Sequence, residues 1–459
     1  MSKNKYSIDM TKGVLFPKIL GFAFPLMVTG LLQIVYNAAD VVVVGRFAGS
    51  VYLAAVGATS TLVNLFLNLF LGLSMGSGVV VAKHIGAGDG ASVHRAVHTA
   101  MLLAALSGFV IGILGICISK IALEIMGTPP EVLDLSTLYL RIFFLGTPAN
   151  MVFNYGASIL RSTGDSKRPL YILTATGILN VTLNIVFVVK FHMNVAGVAL
   201  ATIISQYVSA FFILYILLNI NSYIHLSIKK LRFYKAELLD ILKIGIPAGL
   251  QGSLFSLSNV IIQSSINSFG AAAIAGNTAS GNVDSVIFTC CNSVSQTATT
   301  FTSQNLGAGQ YKRIRKIYFN CVGISAAIAA FFGVVLLTLG PQILTIFSTD
   351  SEVIEMGLIR LKLFAVTYII NSVLDVTTGQ MRGLGKSVIP MIVSLIGVCG
   401  LRVVWVYTVF ARYRSMFVLY FSYPVSWLIT GIVLIAMYAV TYRKLLKRSK
   451  EEYETACPG

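Results

Sequence analysis

Charged residues are scarce in this sequence, and acidic residues are the scarcest. Asp and Glu together number 17 among 459 residues, and charged residues of both signs make up only 11%. Hydrophobic residues make up 56%, and the mean hydropathy is +0.82. Such a composition is far too apolar for a soluble domain. It therefore excludes soluble enzymes and binding modules and indicates a membrane protein with several spans.

Cysteine and histidine are too few and too dispersed to build a metal centre or a disulfide framework. Five of the six cysteines fall in long apolar runs, and no histidine has ligand spacing with a cysteine or a glutamate. The sequence also has no Walker loop, nucleophile elbow or metalloprotease motif. We therefore expect no enzymatic activity, no ATP hydrolysis and no bound cofactor.

Long runs without any Asp, Glu, Lys or Arg are abundant, for example 47–82 and 191–228. A helix needs about 20 apolar residues to cross a bilayer, and these runs are longer. The predicted fold is an all-α polytopic membrane protein with twelve spans. The spans are predicted near 15–45, 52–82, 93–118, 136–160, 168–190, 194–218, 240–267, 275–304, 316–339, 357–382, 387–410 and 417–441.

The second half of the chain repeats the first. An Arg-x-x-Gly-x-Ser-x-x-Pro pattern begins at Arg161 and recurs 221 residues later at Arg382, and a Gly-Ala-Gly turn at Gly86 recurs at Gly307. Two halves of this size in a membrane protein are typical of transporters that rock one half against the other around a central site. Six spans per half is an even number, so we predict two pseudo-symmetric six-helix lobes in a parallel repeat.

The distribution of Lys and Arg predicts the orientation. With both termini inside, 25 of the 34 basic residues lie on the cytoplasmic side, as the positive-inside rule requires. The net charge of +17 thus reflects topology and not nucleic-acid binding. The predicted organisation is an N-terminal lobe (1–225) with a cytoplasmic N-terminus, a cytoplasmic linker (226–243), a C-terminal lobe (244–445) and a cytoplasmic tail (446–459).

Span 1 carries a polar face, because Gln33, Tyr36, Asn37 and Asp40 are spaced for one side of a helix. An ionisable group in hydrocarbon needs a partner or a wet cavity. The functional interpretation is a cation or proton site at Asp40, with the other three in substrate binding or gating. The alternative is a packed acid held by hydrogen bonds between helices. Pro25 predicts a bend that either responds to the charge of Asp40 or is a static kink.

Oxygen donors follow in spans 5 and 6, at Asn180, Asn184 and Thr202. Beside Asp40 they would complete an all-oxygen shell with a single carboxylate, which suits a weakly held monovalent cation such as Na⁺. The alternative is that the asparagines only join helices through hydrogen bonds.

Two further acids, Asp375 and Asp284, form a second candidate site in the second half. Asp375 lies one helical turn after Asn371, and the repeat aligns these residues with Asn154 and Asn150. An acid in one half and an amide in the other indicates a second protonatable group, with a satisfied polar contact as the alternative. Asp284 lies in span 8, where a wet position near the outer surface is the alternative to a functional role.

These features resemble the MATE (multidrug and toxic compound extrusion) antiporters, in particular their bacterial NorM-like and DinF-like branches. The resemblance covers about residues 10–445. It implies two six-helix lobes and the export of cationic drugs in exchange for Na⁺ or H⁺. It also matches Asp40 and the three oxygen donors to the N-lobe cation site of the family, and Asp375 to its C-lobe acid. Span 7 departs from the NorM-like pattern because it has no acid.

We therefore predict a Na⁺- or H⁺-coupled multidrug efflux antiporter that exports amphipathic cationic compounds by alternating access. It would act as a monomer in the bacterial cell membrane, with small molecules and lipid as its partners and no nucleic acid. The alternative is a flippase for lipid-linked oligosaccharides or another lipid, of the same superfamily. Its anionic cargo should require several basic residues in the cavity, and only Arg402 is a candidate.

Overall fold

The computed structural model describes residues 7–456, and nearly all of them are helical. The first six residues of the predicted N-terminus and residues 457–459 of the predicted tail lie outside the described residues. No strand occurs between residues 7 and 456. The α-helices are α1 Leu15–Val43, α2 Ser50–Gly86, α3 Gly90–Ile125, α4 Pro130–Leu145, α5 Thr147–Ser162, α6 Lys167–Ile185, α7 Asn194–Asn219, α8 Lys235–Asn267, α9 Ala271–Gly307, α10 Tyr311–Thr345, α11 Ser351–Gly383, α12 Val388–Ser394, α13 Leu401–Trp405 and α14 Met416–Ala456.

These helices cover all twelve predicted spans. In the described part of the chain, nine helical segments are long and apolar enough to cross a membrane, and the pair α4 and α5 makes a tenth. Helices α9 and α11 are of similar length, 37 and 33 residues, but carry more polar side chains. The prediction of an all-α polytopic membrane fold is therefore confirmed.

The span predicted over 136–160 is not one straight helix. It consists of α4 and α5, which meet at an angle of 46°. The break lies at Gly146, and Pro148 follows in the first turn of α5. Because proline has no N–H to donate, it fits the start of a new helix better than the middle of a continuous one. By contrast, Pro25 lies inside α1 without interrupting it.

The chain divides into two compact units. The N unit comprises residues 7–9 and Phe24–Ser253, and the C unit comprises Met10–Ala23 and the chain from Leu254 onward. Helices α1 and α8 each contribute residues to both units. The predicted lobe boundaries, 1–225 and 244–445 on either side of a linker, stay a prediction.

Glycine lets two helices of the N unit approach backbone to backbone. A Cβ atom added to Gly72 in α2 would lie 2.1 Å from the backbone nitrogen of Gly249 in α8. A Cβ atom on Gly76 would lie 2.5 Å from the carbonyl oxygen of Ile241. Backbone atoms cannot move aside as a side chain can, so only glycine fits at these crossings.

The repeated Arg-x-x-Gly-x-Ser pattern forms a tight turn after α5 and again after α11. Its glycines, Gly164 and Gly385, have φ values of +90° and +74°, in the left-handed region that favours glycine. After Gly164, the carboxylate of Asp165 accepts the backbone N–H groups of Lys167 and Arg168. Burial raises the pKa of Asp165, while these hydrogen bonds oppose the rise. Turn geometry therefore explains why the glycine of this pattern is repeated.

The predicted linker is held against α3. His98 Nε2 accepts the N–H of Ser227 at 3.0 Å, and Thr99 Oγ1 accepts the N–H of Tyr234 at 3.1 Å. These two hydrogen bonds fix the linker to α3 of the N unit.

Candidate functional site

Four predicted ligands come together in the N unit, from α1, α6 and α7. Asn184 donates from Nδ2 to a carboxylate oxygen of Asp40. The same nitrogen lies 3.2 Å from Oδ1 of Asn180, whose own Nδ2 lies 3.4 Å from Oγ1 of Thr202. Thr202 in turn donates to the carbonyl oxygen of Val198 at 3.0 Å. The four side chains therefore form one continuous hydrogen-bonded chain that ends on the carboxylate.

One oxygen in this hydrogen-bonded chain of four side chains has no partner. Oδ1 of Asn184 is enclosed and accepts no hydrogen bond from any described residue. Buried polar atoms normally have a partner, so such an orphan next to a carboxylate is a natural contact for a cation. The donors here are one carboxylate, two amides and a hydroxyl, which are hard ligands suited to Na⁺. No cluster of three or more His, Cys, Asp or Glu within residues 7–456 offers a stronger metal site.

A small apolar cluster positions these helices just beyond the site. Val43 and Val44 at the end of α1 pack with Val188 after α6 and Val198 in α7. Both α1 and α6 continue here as π-helical turns, Val44–Ala48 and Val186–Lys190. Each begins one turn or less after a site residue, Asp40 or Asn184. Such turns place an extra residue in the helix and often occur at functional sites.

The remaining residues of the polar face in α1 lie in different surroundings. Gln33 and Asn37 are exposed, whereas Tyr36 is half-buried and donates its hydroxyl to the carbonyl oxygen of Thr174 at 3.3 Å. Gln33, Tyr36, Asn37 and Pro25 thus stay predictions as substrate or gating residues.

Tyr36 fits against α6 because residue 177 has no side chain. A Cβ atom on Gly177 would lie 1.9 Å from Cζ of Tyr36. We expect Gly177→Ala to displace the ring and destabilise the protein by about 1–3 kcal/mol, as overpacking does. Thermal unfolding of the purified protein in detergent would measure this effect.

Gly57→Ala is the matched control, because nothing lies within 4 Å of a Cβ atom at that helical position. Adding Tyr36→Ala to Gly177→Ala should recover part of the loss, since the clash then disappears. Equal unfolding temperatures for Gly177→Ala and Gly57→Ala would contradict the packing described here.

The second candidate site lies in the C unit on α11. Asn371 donates from Nδ2 to Oδ2 of Asp375 at 3.2 Å. In the N unit the aligned pair is also hydrogen-bonded, but in the opposite direction, since Asn154 donates to Oδ1 of Asn150 at 2.8 Å. The repeat thus keeps a contact between the two side chains while the acid is replaced by an amide. The structure does not bring Asp375 into a shell of several oxygen ligands like the one around Asp40, and its role stays a prediction.

Asp284 is part of an ion pair. Its Oδ2 lies 2.7 Å from a terminal nitrogen of Arg360, and the two side chains are only 8% and 15% exposed. Arg360 also donates to Oδ1 of Asn277 at 2.6 Å, and Tyr420 donates to the same oxygen at 3.0 Å. Arg360 was not among the site residues predicted from the sequence. The rule that an acid inside a span needs a partner could have predicted a basic residue next to Asp284.

Arg402, the basic residue predicted inside a span, is buried in the C unit. Its Nε donates to Oγ of Ser426 at 3.1 Å, and its guanidinium carbon lies 3.9 Å from the ring centre of Tyr423. The same guanidinium lies 5.9 Å from the ring centre of Trp427. The aromatic rings therefore supply much of its surroundings.

Comparison with known proteins gives consistent results in sequence and in structure. A family model described as MatE matches residues 25–186 and 247–408, which is one match in each half of the repeat. The "Probable multidrug resistance protein YpnP" of Bacillus subtilis (strain 168) is 27% identical over 394 residues, covering 86% of this chain and 88% of the relative. "Multidrug export protein MepA" of Staphylococcus saprophyticus is 24% identical over 413 residues, covering 86% and 90%.

Two solved structures share the fold. One is described as the "Outward-facing conformation of a multidrug resistance MATE family transporter of the MOP superfamily", with a TM-score of 0.90 at 22% identity, covering 97% of this chain and 100% of the other. The second, a MOP superfamily transporter from Pyrococcus furiosus, has a TM-score of 0.90 at 21% identity and covers 97% and 99%. With the matches to both halves, these findings show that the chain belongs to the MATE family of membrane transporters.

Proposed function

We propose that the protein exchanges Na⁺ or H⁺ for amphipathic cationic compounds and exports them from the cell. The single observation that carries this proposal is the hydrogen-bonded chain from Asp40 through Asn184 and Asn180 to Thr202, with its unpaired amide oxygen. A membrane-embedded carboxylate surrounded by neutral oxygens can hold one positive charge at a time. The names of the curated relatives, a probable multidrug resistance protein and a multidrug export protein, support drugs as the substrate class.

Competition for Asp40 explains how exchange becomes obligatory. A ligand shifts a protein between two conformations only as far as it binds one of them better. If ion and drug both neutralise the same carboxylate, binding of one opposes binding of the other, and each favours its own conformation. The neutral amides would orient the charge without competing for it. In this proposal the chain needs no cofactor and no ATP, performs no enzymatic reaction, works as a monomer, and keeps both termini in the cytoplasm.

A lipid flippase is the second candidate function. One observation favours it, because the C unit contains one buried arginine, Arg402, and a second, Arg360, whose side chain is only 15% exposed. An anionic lipid headgroup needs basic residues in this way. Against it, Arg360 is already neutralised by Asp284.

Transport by purified protein in liposomes distinguishes the two candidates. Ethidium would be loaded as the cationic probe, and a Na⁺ gradient or a pH gradient would be imposed in separate experiments. We expect the gradient of the coupling ion alone to drive ethidium movement, which also identifies that ion. Absence of movement under both gradients, together with transbilayer movement of a fluorescent anionic lipid, would replace the antiporter by the flippase.

A further inference from the structure

The C unit contains an arginine whose charge is not balanced. Arg402 is 5% exposed, and an arginine stays protonated even when buried. None of the described carboxylates forms an ion pair with it, whereas Arg360 has Asp284 at 2.7 Å. The two guanidinium groups share one aromatic cluster, since Phe364 lies 5.2 Å from Arg360 and its ring lies 5.1 Å from that of Tyr423. The cluster therefore carries one uncompensated positive charge.

Only some of the hydrogen-bond donors of the Arg402 guanidinium have an acceptor. Nε donates to Ser426, and one face lies over Tyr423. Neither terminal nitrogen donates a hydrogen bond to any residue among 7–456. Both nitrogens keep some exposure, because the enclosed side-chain atoms without a partner in that range do not include them. The small exposed fraction of Arg402 thus includes the open end of its fork.

The unsatisfied end has the geometry of an anion receptor. Two terminal nitrogens in one plane match the two oxygens of a carboxylate, and such bidentate pairs are among the strongest hydrogen bonds in proteins. Beside them, Tyr423 and Trp427 offer aromatic rings at 3.9 and 5.9 Å from the guanidinium carbon, and Phe364 lies 5.2 Å from Trp427 between ring centres. Aromatic rings of this kind favour planar apolar bodies next to the charged group.

We propose that Arg402, with Ser426, Tyr423 and Trp427, forms a subsite for the carboxylate of an aromatic compound. The inference rests on the proposed function, because it extends the substrates of that exporter to aromatic compounds that carry a negative charge. Arg402 provides the bidentate hydrogen bonds, and Ser426 fixes the guanidinium through Nε. The small exposed parts of Tyr423 and Trp427, 9% and 7%, contact the apolar body. Arg360 contributes positive potential but keeps its hydrogen bonds to Asp284 and Asn277.

Tryptophan fluorescence can test this subsite without any ion gradient. The chain has two tryptophans, so Trp405→Phe leaves Trp427 as the only reporter. We would titrate this variant in detergent with 4-nitrobenzoate, which quenches tryptophan, and with the uncharged 4-nitrobenzamide. We expect saturable quenching by 4-nitrobenzoate, with at least about tenfold weaker binding of the amide, since a bidentate ionic pair is lost. Calorimetry on the unmodified protein should give the same order of affinities.

Arg402→Gln removes the charge, and Arg402→Lys keeps the charge but not the planar fork. We expect at least about tenfold weaker binding of 4-nitrobenzoate by Arg402→Gln and intermediate binding by Arg402→Lys. Arg412→Gln is the matched control, because Arg412 is exposed and should leave the affinity unchanged. Equal affinity of the unmodified protein for 4-nitrobenzoate and 4-nitrobenzamide would overturn the proposal even if no Arg402 variant folds.

Acetate distinguishes a substrate carboxylate from a free small anion. If acetate competes with 4-nitrobenzoate at equal concentration, the site selects any small anion and the proposal for an aromatic substrate fails. The binding and transport experiments can reject the subsite and the antiport independently of each other. Ethidium export without binding of 4-nitrobenzoate removes only this subsite, whereas binding without gradient-driven export removes only the proposed antiport.

Discussion

Asp40→Asn is expected to reduce gradient-driven ethidium export to the level of empty liposomes while the protein remains folded. Asparagine has nearly the shape of aspartate, and its side-chain oxygen can still accept the hydrogen bond that Asn184 donates to Asp40. The substitution therefore removes the negative charge and little else. Without that charge, neither ion nor cationic drug gains a differential affinity that shifts the protein between its conformations.

The control for Asp40→Asn is the same exchange at an exposed acid. Asp134 has a side chain that is 92% exposed and lies 4.0 Å from Lys120, so Asp134→Asn should leave export unchanged. Size-exclusion profiles and unfolding temperatures in detergent would show that both variants are folded. Export by Asp40→Asn at the rate of the unmodified protein would reject the mechanism, because the coupling charge would then lie elsewhere.

Arg360→Met is expected to destabilise the protein by about 3–5 kcal/mol, because it leaves the carboxylate of Asp284 buried without its partner. The loss has two parts. The ion pair at 2.7 Å disappears, and Asn277 loses the donor that lies 2.6 Å from its oxygen. Chemical unfolding in mixed micelles would measure the difference. Methionine has a comparable length, so the cavity left behind is small.

A second substitution separates the cost of an unpaired charge from that of lost packing. Buried ion pairs replaced entirely by apolar residues are often neutral in stability, so Arg360→Met with Asp284→Leu should recover most of the loss. The comparison is Lys120→Met, which removes an exposed pair and should change stability by less than about 1 kcal/mol. If Arg360→Met proved no more costly than Lys120→Met, the pair would contribute nothing to the fold of the C unit.

The sequence predicted the features that depend on local composition. Ten of the twelve helical segments follow from apolar length, since a bilayer sets how many residues a span needs. The grouping of Asp40 with Asn180, Asn184 and Thr202 came from residue chemistry and from the family resemblance, and these side chains are neighbours in the structure. Their part in ion coupling stays a prediction.

The features that were missed depend on packing between distant parts of the chain. The pairing of Arg360 with Asp284 joins α11 to α9, and no spacing rule predicts a contact between separate helices. The same holds for Gly177, whose importance appears only when Tyr36 of another helix is placed against it. The bend at Gly146 was locally encoded, because Gly146 and Pro148 are visible in the sequence, but apolar length does not report the direction of a helix.

The paired amides at Asn150 and Asn154 have a consequence for the history of the protein. If the two halves descend from one ancestral gene, they came to differ at this position after the duplication. One copy has an amide that donates, Asn154 at 2.8 Å from Asn150, and the other has a carboxyl that accepts, Asp375 at 3.2 Å from Asn371. The fold thus accommodates the neutral version. A charged side chain in hydrocarbon costs about 2.5–3.5 kcal/mol, so the neutral amide of the first half avoids a cost that Asp375 carries whenever it is ionised.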